Sequence, residues 1–225
     1  MKIFWLIPIC TLLFFIKISV ENFDDAKREQ RAIALWMSAE NNPDENTHAK
    51  IRLAIENLSY SQLFDKTRVV NPTLLADLYY TLANSQHDEG KTQEYNQLAR
   101  LNYLDALKNN PTKSINWASL AMVKWDLQEL DEDYLNYIMN AHRYGQHEPR
   151  THIKLVQLSA KIIANDFIMP PNLEAIFLHH LSFGLTHSKS RSDILEDLNM
   201  DSSIRNKYCS WIKEKQSIKA KLKCA

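Results

Sequence analysis

Eight histidines run through the chain, and five fall in two short stretches: His142, His147 and His152, then His179 and His180. Imidazole titrates near neutrality and binds divalent metals, so clustered histidines are the first place to look for chemistry. A metal needs its donors to converge on one point. The five-residue spacing does not align His142, His147 and His152 on one helix face, and Gly145 and Pro149 interrupt any helix there. Adjacent His179 and His180 point in different directions, so at most one faces a given site. These histidines read as partly exposed structural residues.

Other chemistry is as sparse. The sequence has no nucleophile elbow, phosphate loop, His-Glu-x-x-His or Cys-x-x-Cys. The acids Asp24-Asp25 and Asp131-Glu132-Asp133 sit at expected helix starts, where the helix dipole favours negative charge without catalysis. Cys209 and Cys224 would lie about 22 Å apart on one continuous helix, whereas a disulfide needs Cα atoms within about 7 Å. Two free thiols, or an intermolecular contact, are expected, with pairing possible only if the helix ends early. No catalytic, cofactor-binding or metal-ligating residue is assigned, and no enzymatic activity is expected.

What the chain offers instead is helices. Only three glycines occur, Gly90, Gly145 and Gly184, while Ala, Leu, Glu, Lys and Gln recur at helical spacing, so an all-α fold is expected. Asn71-Pro72, Asn110-Pro111 and Glu148-Pro149 follow one another at 39 and 38 residues, each opening an apolar pattern of helical period. That is the signature of a helical-hairpin solenoid. In tetratricopeptide-like units a large residue, Leu and a small residue mark the first helix and small-large-small marks the second. Trp117, Leu120 and Ala121 with Tyr134, Ile138 and Ala141 fill that pattern, as do Tyr79, Leu82 and Ala83 with Ala99, Tyr103 and Ala106. Turns are expected at His87 to Gly90 and Gln128 to Asp131, with Asn71 and Asp131 as N-caps and Gly145 closing a helix at positive φ. A third hairpin carries Leu155, Leu158 and Ile162, then Leu173, Ile176, Phe177, His180 and Leu181 after Pro170-Pro171.

Four segments result. Residues 1–20 are a signal-anchor or transmembrane segment: a charge-free run from Ile3 to Ile16, followed by Lys17 to Val20. Ile18-Ser19-Val20 lacks the small residues a signal peptidase prefers, so retention is favoured over cleavage. Lys2 precedes the run and Glu21, Asp24 and Asp25 follow it, which places the body outside the cytoplasm. Residues 21–70 form an N-terminal helical hairpin, with Ala32, Leu35, Trp36 and Ala39 facing Ile51, Ala54, Ile55 and Leu58. Residues 71–185 are the tetratricopeptide-like repeats. Residues 186–225 are a joint and one basic amphipathic helix over about 203–222, with Ile204, Tyr208, Trp211, Ile218 and Leu222 on one face. A capping role for that helix is favoured over a membrane-surface role. Lys plus Arg equals Asp plus Glu at 27 each, so the balance does not call for nucleic acid.

The run Trp117-Ala118-Ser119-Leu120-Ala121, through Leu127-x-Glu129-Leu130-Asp131, to His142-x-x-Gly145-x-x-Glu148-Pro149-Arg150 resembles the VpsP family of bacterial exopolysaccharide biosynthesis proteins. The resemblance covers about residues 72–185 and rests on packing and turn residues. It implies a small envelope protein beside a polysaccharide synthesis and export machinery, with no enzymatic residues to carry over. The expectation is a non-enzymatic scaffold, single-pass in the bacterial inner membrane through residues 1–20, whose periplasmic repeats bind a protein partner of that machinery. An assembly factor for another cell-envelope complex is the alternative.

Overall fold

The computed structural model describes residues 6–41, 46–64, 71–199, 202–212 and 216–224, and within them the protein is all-α. The helices are α1 (Leu6–Asn41), α2 (Thr47–Phe64), α3 (Pro72–Asn84), α4 (Glu89–Asn109), α5 (Ser114–Asp126), α6 (Glu132–Tyr144), α7 (Pro149–Ala164), α8 (Pro171–Thr186), α9 (Arg191–Asn199), α10 (Ser202–Trp211) and α11 (Gln216–Leu222). They divide into two compact units, Met1–Asn102 and Tyr103–Ala225.

In the first unit α1 packs on α2 and α2 on α3. The expected stripes meet: Ala32 and Ala39 of α1, Ile51, Ala54 and Leu58 of α2, and Leu74, Leu78 and Leu82 of α3 form one core. Small residues let the helices approach closely, and Trp36 closes the edge with its Nε1 donating to Thr81 Oγ1 at 3.1 Å. Asn71 caps α3, its Oδ1 accepting from the Leu74 amide, with Pro72 in the first turn. The expected turn at His87 to Gly90 shifts forward, because α4 starts at Glu89 and takes Gly90 into its first turn. The expected connector over 61–70 overlaps α2, which runs to Phe64; residues 65–70, and the expected break at Asn42-Pro43, lie outside the described residues. So do residues 1–5 of the apolar run, the rest of which belongs to α1. Among the described residues no helix is long and apolar enough to cross a membrane. Leu12, Phe14, Phe15, Ile16, Val20 and Phe23 of α1 are nonetheless exposed.

In the second unit α5 pairs with α6 and α7 with α8, and α5 also lies against α7. Leu120, Ala121, Ile138, Ala141, Leu155, Leu158, Phe177 and Leu181 are fully buried, as their helical spacing requires. Asp131 Oδ1 caps α6 by accepting from the Tyr134 amide. Its Oδ2 accepts from Lys124 Nζ at 2.6 Å, and the same ammonium lies 3.3 Å from Glu129, so one buried cation closes the α5–α6 turn. Lys161 Nζ donates to both oxygens of Asp126, tying α7 to α5.

Two expectations fail here for identifiable reasons. Asn110-Pro111 does not open a helix: α5 begins at Ser114, and the proline sits in the preceding turn, where its carbonyl accepts from Trp117 Nε1. Gly145 has φ −117°, not positive; glycine is needed there because a Cβ would lie 2.5 Å from Thr151 Cγ2 and 2.6 Å from the Ala141 carbonyl oxygen. Left-handed positions are held instead by Gln128, Asp166 and Lys223, each ending its helix with the same pair of backbone bonds, and the first two are 38 residues apart.

The C-terminal helix is not continuous. Ile212 follows the end of α10, and α11 starts at Gln216. Cys209 and Cys224 are therefore brought to a Cα separation of 5.6 Å and joined in a disulfide, in place of the two free thiols expected from one long helix. Ile204, Tyr208, Ile218 and Leu222 are buried in a core with Val156, Leu181, Leu185, Ile194 and Leu198. The apolar face that could have met a membrane is thus occupied by the protein's own core.

Candidate functional site

Among the described residues, four histidines gather where three helices of the second unit meet. α6 carries His142 in its last turn. α7, started by Pro149 and capped by Glu148, presents His152 in its first turn. α8 supplies His179 and His180. The hairpin turn brings the end of α6 against the start of α7, and Ser114 of α5 fixes that start through a 2.8 Å hydrogen bond to Thr151.

His180 is the centre. Its Nε2 lies 3.1 Å from His142 Nδ1 and its Nδ1 lies 2.8 Å from His152 Nδ1. Both His180 and His152 are fully buried, and His142 is half-buried. Phe183, one turn beyond His179, closes the cluster, its ring 4.4 Å from His179, 6.0 Å from His147 and 6.2 Å from His152. Gly184 permits the close approach of α8 to α7, since a Cβ there would lie 3.1 Å from His152 Cβ.

This arrangement corrects two expectations. His142 and His152 do lie on different helices, parted at Gly145 and Pro149 as expected, but His152 and His180 are buried rather than partly exposed, and His180 links the two. Adjacent His179 and His180 also both reach His142, with ring centroids 5.0 and 5.3 Å away. Side chains separated by about 100° still converge when a neighbouring helix lies between their directions.

The chemistry available follows from the hydrogen bonds. Each neutral imidazole has one N–H and one acceptor nitrogen, so two links among three rings need two protons, and neutral rings supply them in either direction. Burial pushes the His180 imidazole down to about 2, with His152, His142 and His179 adding to the effect. Burial pushes His152 down to about 4, helped by His179, His187 and His147, and lowers His142. All three are neutral at pH 7. His180 engages a different neighbour with each nitrogen, so the three donors do not point at one centre; among the described residues no group of three or more His, Cys, Asp or Glu is placed to hold a metal ion.

The chain matches no family model, no curated protein and no solved structure.

Two clefts also open on the surface of the second unit. The α7–α8 loop exposes Phe167 and, at 90% exposure, Ile168, beside a cleft of about 330 Å³ that Trp211, Ile163 and Met169 also line. A shallower hollow lies between Trp125, Asp126, Gln128, Leu130 and Asn165. The half-buried Asp197 has a carboxyl raised chiefly by burial, but it accepts from Gln157 Nε2 at 3.0 Å as an α9–α7 tie and lines neither cleft.

Proposed function

We propose that the protein is a non-enzymatic scaffold of the bacterial cell envelope that binds a protein partner through tetratricopeptide-like hairpins. The observation that carries the reading is the register of the second unit: α5 and α7 lie side by side, each starts a hairpin, and the residues that end them, Gln128 and Asp166, are 38 residues apart. Stacked hairpins of this kind present a continuous surface for a peptide or helix. Exposed Leu135 and Met139, one turn apart on α6, and the Phe167-Ile168 loop are the apolar contacts such a partner would cover.

Attachment to the inner membrane through residues 1–20 rests on the apolar run and on the exposed Leu12, Phe14, Phe15 and Ile16. A periplasmic location follows from the charges flanking that run. The exopolysaccharide pathway rests on the resemblance of residues 72–185 to the VpsP family alone.

The test is the amount of secreted polysaccharide from a deletion strain, complemented with the full chain or with a periplasmic version lacking residues 1–20. Loss on deletion, rescued only by the anchored form, supports a tethered scaffold at the export site. Unchanged polysaccharide removes the pathway assignment, and cross-linking through residues 72–147 to a partner outside any glycan pathway then favours an assembly factor for another envelope complex.

A further inference from the structure

We propose that the His142–His180–His152 chain is an acid-operated latch that holds α6, α7 and α8 together near neutral pH and releases them as protons enter. The geometry sets the rule. With three neutral rings, both N···N contacts are hydrogen bonds. One added proton keeps both bonds but places a charge at a buried position. A second proton leaves at least one contact with N–H facing N–H, which is repulsive.

At His152 and His180 no carboxylate among the described residues offsets such a charge, and the α6 C-terminus favours it only at half-buried His142. The groups acting on the chain from its own helices and the adjoining turns are further imidazoles: His179 on α8, His147 between α6 and α7, and His187 after α8. From α5 the neighbour is Ser114, bonded to Thr151; from α9 it is Ile194, packed at Gly184 beside His152. The carboxylate of Asp197 is engaged by Gln157, with Lys154 beside it. On the C-terminal side of α8, Arg191 and Lys221 donate to the carbonyls of Leu185 and Thr186, adding positive rather than negative charge. From α10, Tyr208 bonds Ser159 and the Val156 carbonyl, away from the rings. On α6 itself Arg143 is exposed.

The direction follows from linkage. The imidazoles bind protons less readily in the folded state than in the unfolded chain, so their stabilisation is complete above about pH 6.5 and is lost as pH falls below it. One unit lower, each imidazole held neutral costs about tenfold in the folding equilibrium constant. Two fully buried members make the response steeper than one histidine gives.

The experiment compares denaturant unfolding of the full chain and of His180→Asn at pH 7.5 and 5.5. Asn keeps a donor and an acceptor but does not titrate. The wild type should lose about tenfold more in folding equilibrium constant over this interval than the variant. Independently of any variant, the ring carbon-bound protons of His152 and His180 in the folded wild type should not titrate between pH 7.5 and 5.5, and amide exchange in α6 and α8, corrected for its intrinsic pH dependence, should accelerate at least severalfold. Equal pH dependence of the two proteins, a folded-state titration of His180 near 6.5, or unchanged protection of α6 and α8 would each overturn the latch.

Discussion

Gly145 sits against Thr151 so closely that a single added methyl group would reach 2.5 Å from Thr151 Cγ2. The same methyl would lie 2.6 Å from the Ala141 carbonyl oxygen and 2.8 Å from Ser114 Cβ, so it meets α5, α6 and α7 at once. Backbone and β-carbons cannot rotate away. Gly145→Ala should therefore destabilise the second unit by about 2 kcal/mol through overpacking. Gly184→Ala should cost less, because the Ile194 Cδ1 it meets is the end of a flexible side chain, the approach to His152 Cβ is 3.1 Å and needs a shift of only a few tenths of an ångström, and alanine is the better helix former. Denaturant midpoints of the two variants should rank in that order.

The Cys209–Cys224 disulfide joins residues 15 apart and holds α11, with Ile218 and Leu222, on the core. Closing a loop of that length lowers the entropy of the unfolded chain by an amount worth about 3 kcal/mol. Reduction should shift the unfolding midpoint accordingly, and Cys209→Ser should reproduce the effect without reductant. Proteolysis after reduction should cut first near residues 213–224, which measures whether α11 is released alone or with α10.

Lys124 is a buried cation with two carboxylates, and that combination sets its pH behaviour. Burial opposes the charge, but hydrogen bonds to Asp131 and Glu129 outweigh it and leave the ammonium harder to deprotonate. Lys124→Met keeps the apolar stem and removes the ion pair, and should lower stability at pH 7, less so at high salt because the Asp131 side is solvent-exposed. The Asp131 carboxyl is held below its ordinary value, first by the Lys124 hydrogen bond and then by the Tyr134 amide. A depressed carboxyl stabilises above the unfolded value near 3.8 and loses that contribution as pH falls, so wild type and variant should converge below about pH 4. Unfolding curves at pH 7 and pH 3 check both statements.

How far the sequence carried this structure depends on what each residue needed from elsewhere. Leu155, Leu158 and Ile162, or Leu173, Ile176, Phe177 and Leu181, are buried because their own helix repeats every 3.6 residues, and that period is visible in the chain. The caps at Asn71 and Asp131 are local as well. The meeting of His142, His152 and His180 is not: it depends on how α8 lies across the α6–α7 turn, and spacing within one helix carries no information about that. The Asn110-Pro111 error is of another kind, since Asx-Pro favours a turn as readily as a helix start. The disulfide was hidden by the assumption of an unbroken helix, although the short charged stretch Lys213-Glu214-Lys215 offered a place to end it.

Tyr208 joins the last helices to α7 through its hydroxyl, which bonds Ser159 Oγ and donates to the Val156 carbonyl at 3.3 Å. The ring is fully buried, and burial raises the phenol well above its ordinary 10, with the Ser159 bond acting weakly the other way. A phenol that resists ionisation in the fold gives stability that is complete below pH 10 and lost as pH rises past the unfolded value. Tyr208→Phe keeps the ring contacts with Trp211 but leaves Ser159 and Val156 one partner short, at a cost of about 1 kcal/mol at pH 7. Above pH 10 the variant should lose stability with pH less steeply than wild type, since it no longer has a buried phenol to ionise. Parallel curves from pH 8 to 11 would mean that the hydroxyl reaches solvent in the folded protein, and the α7–α10 contact would then have to rest on the ring alone.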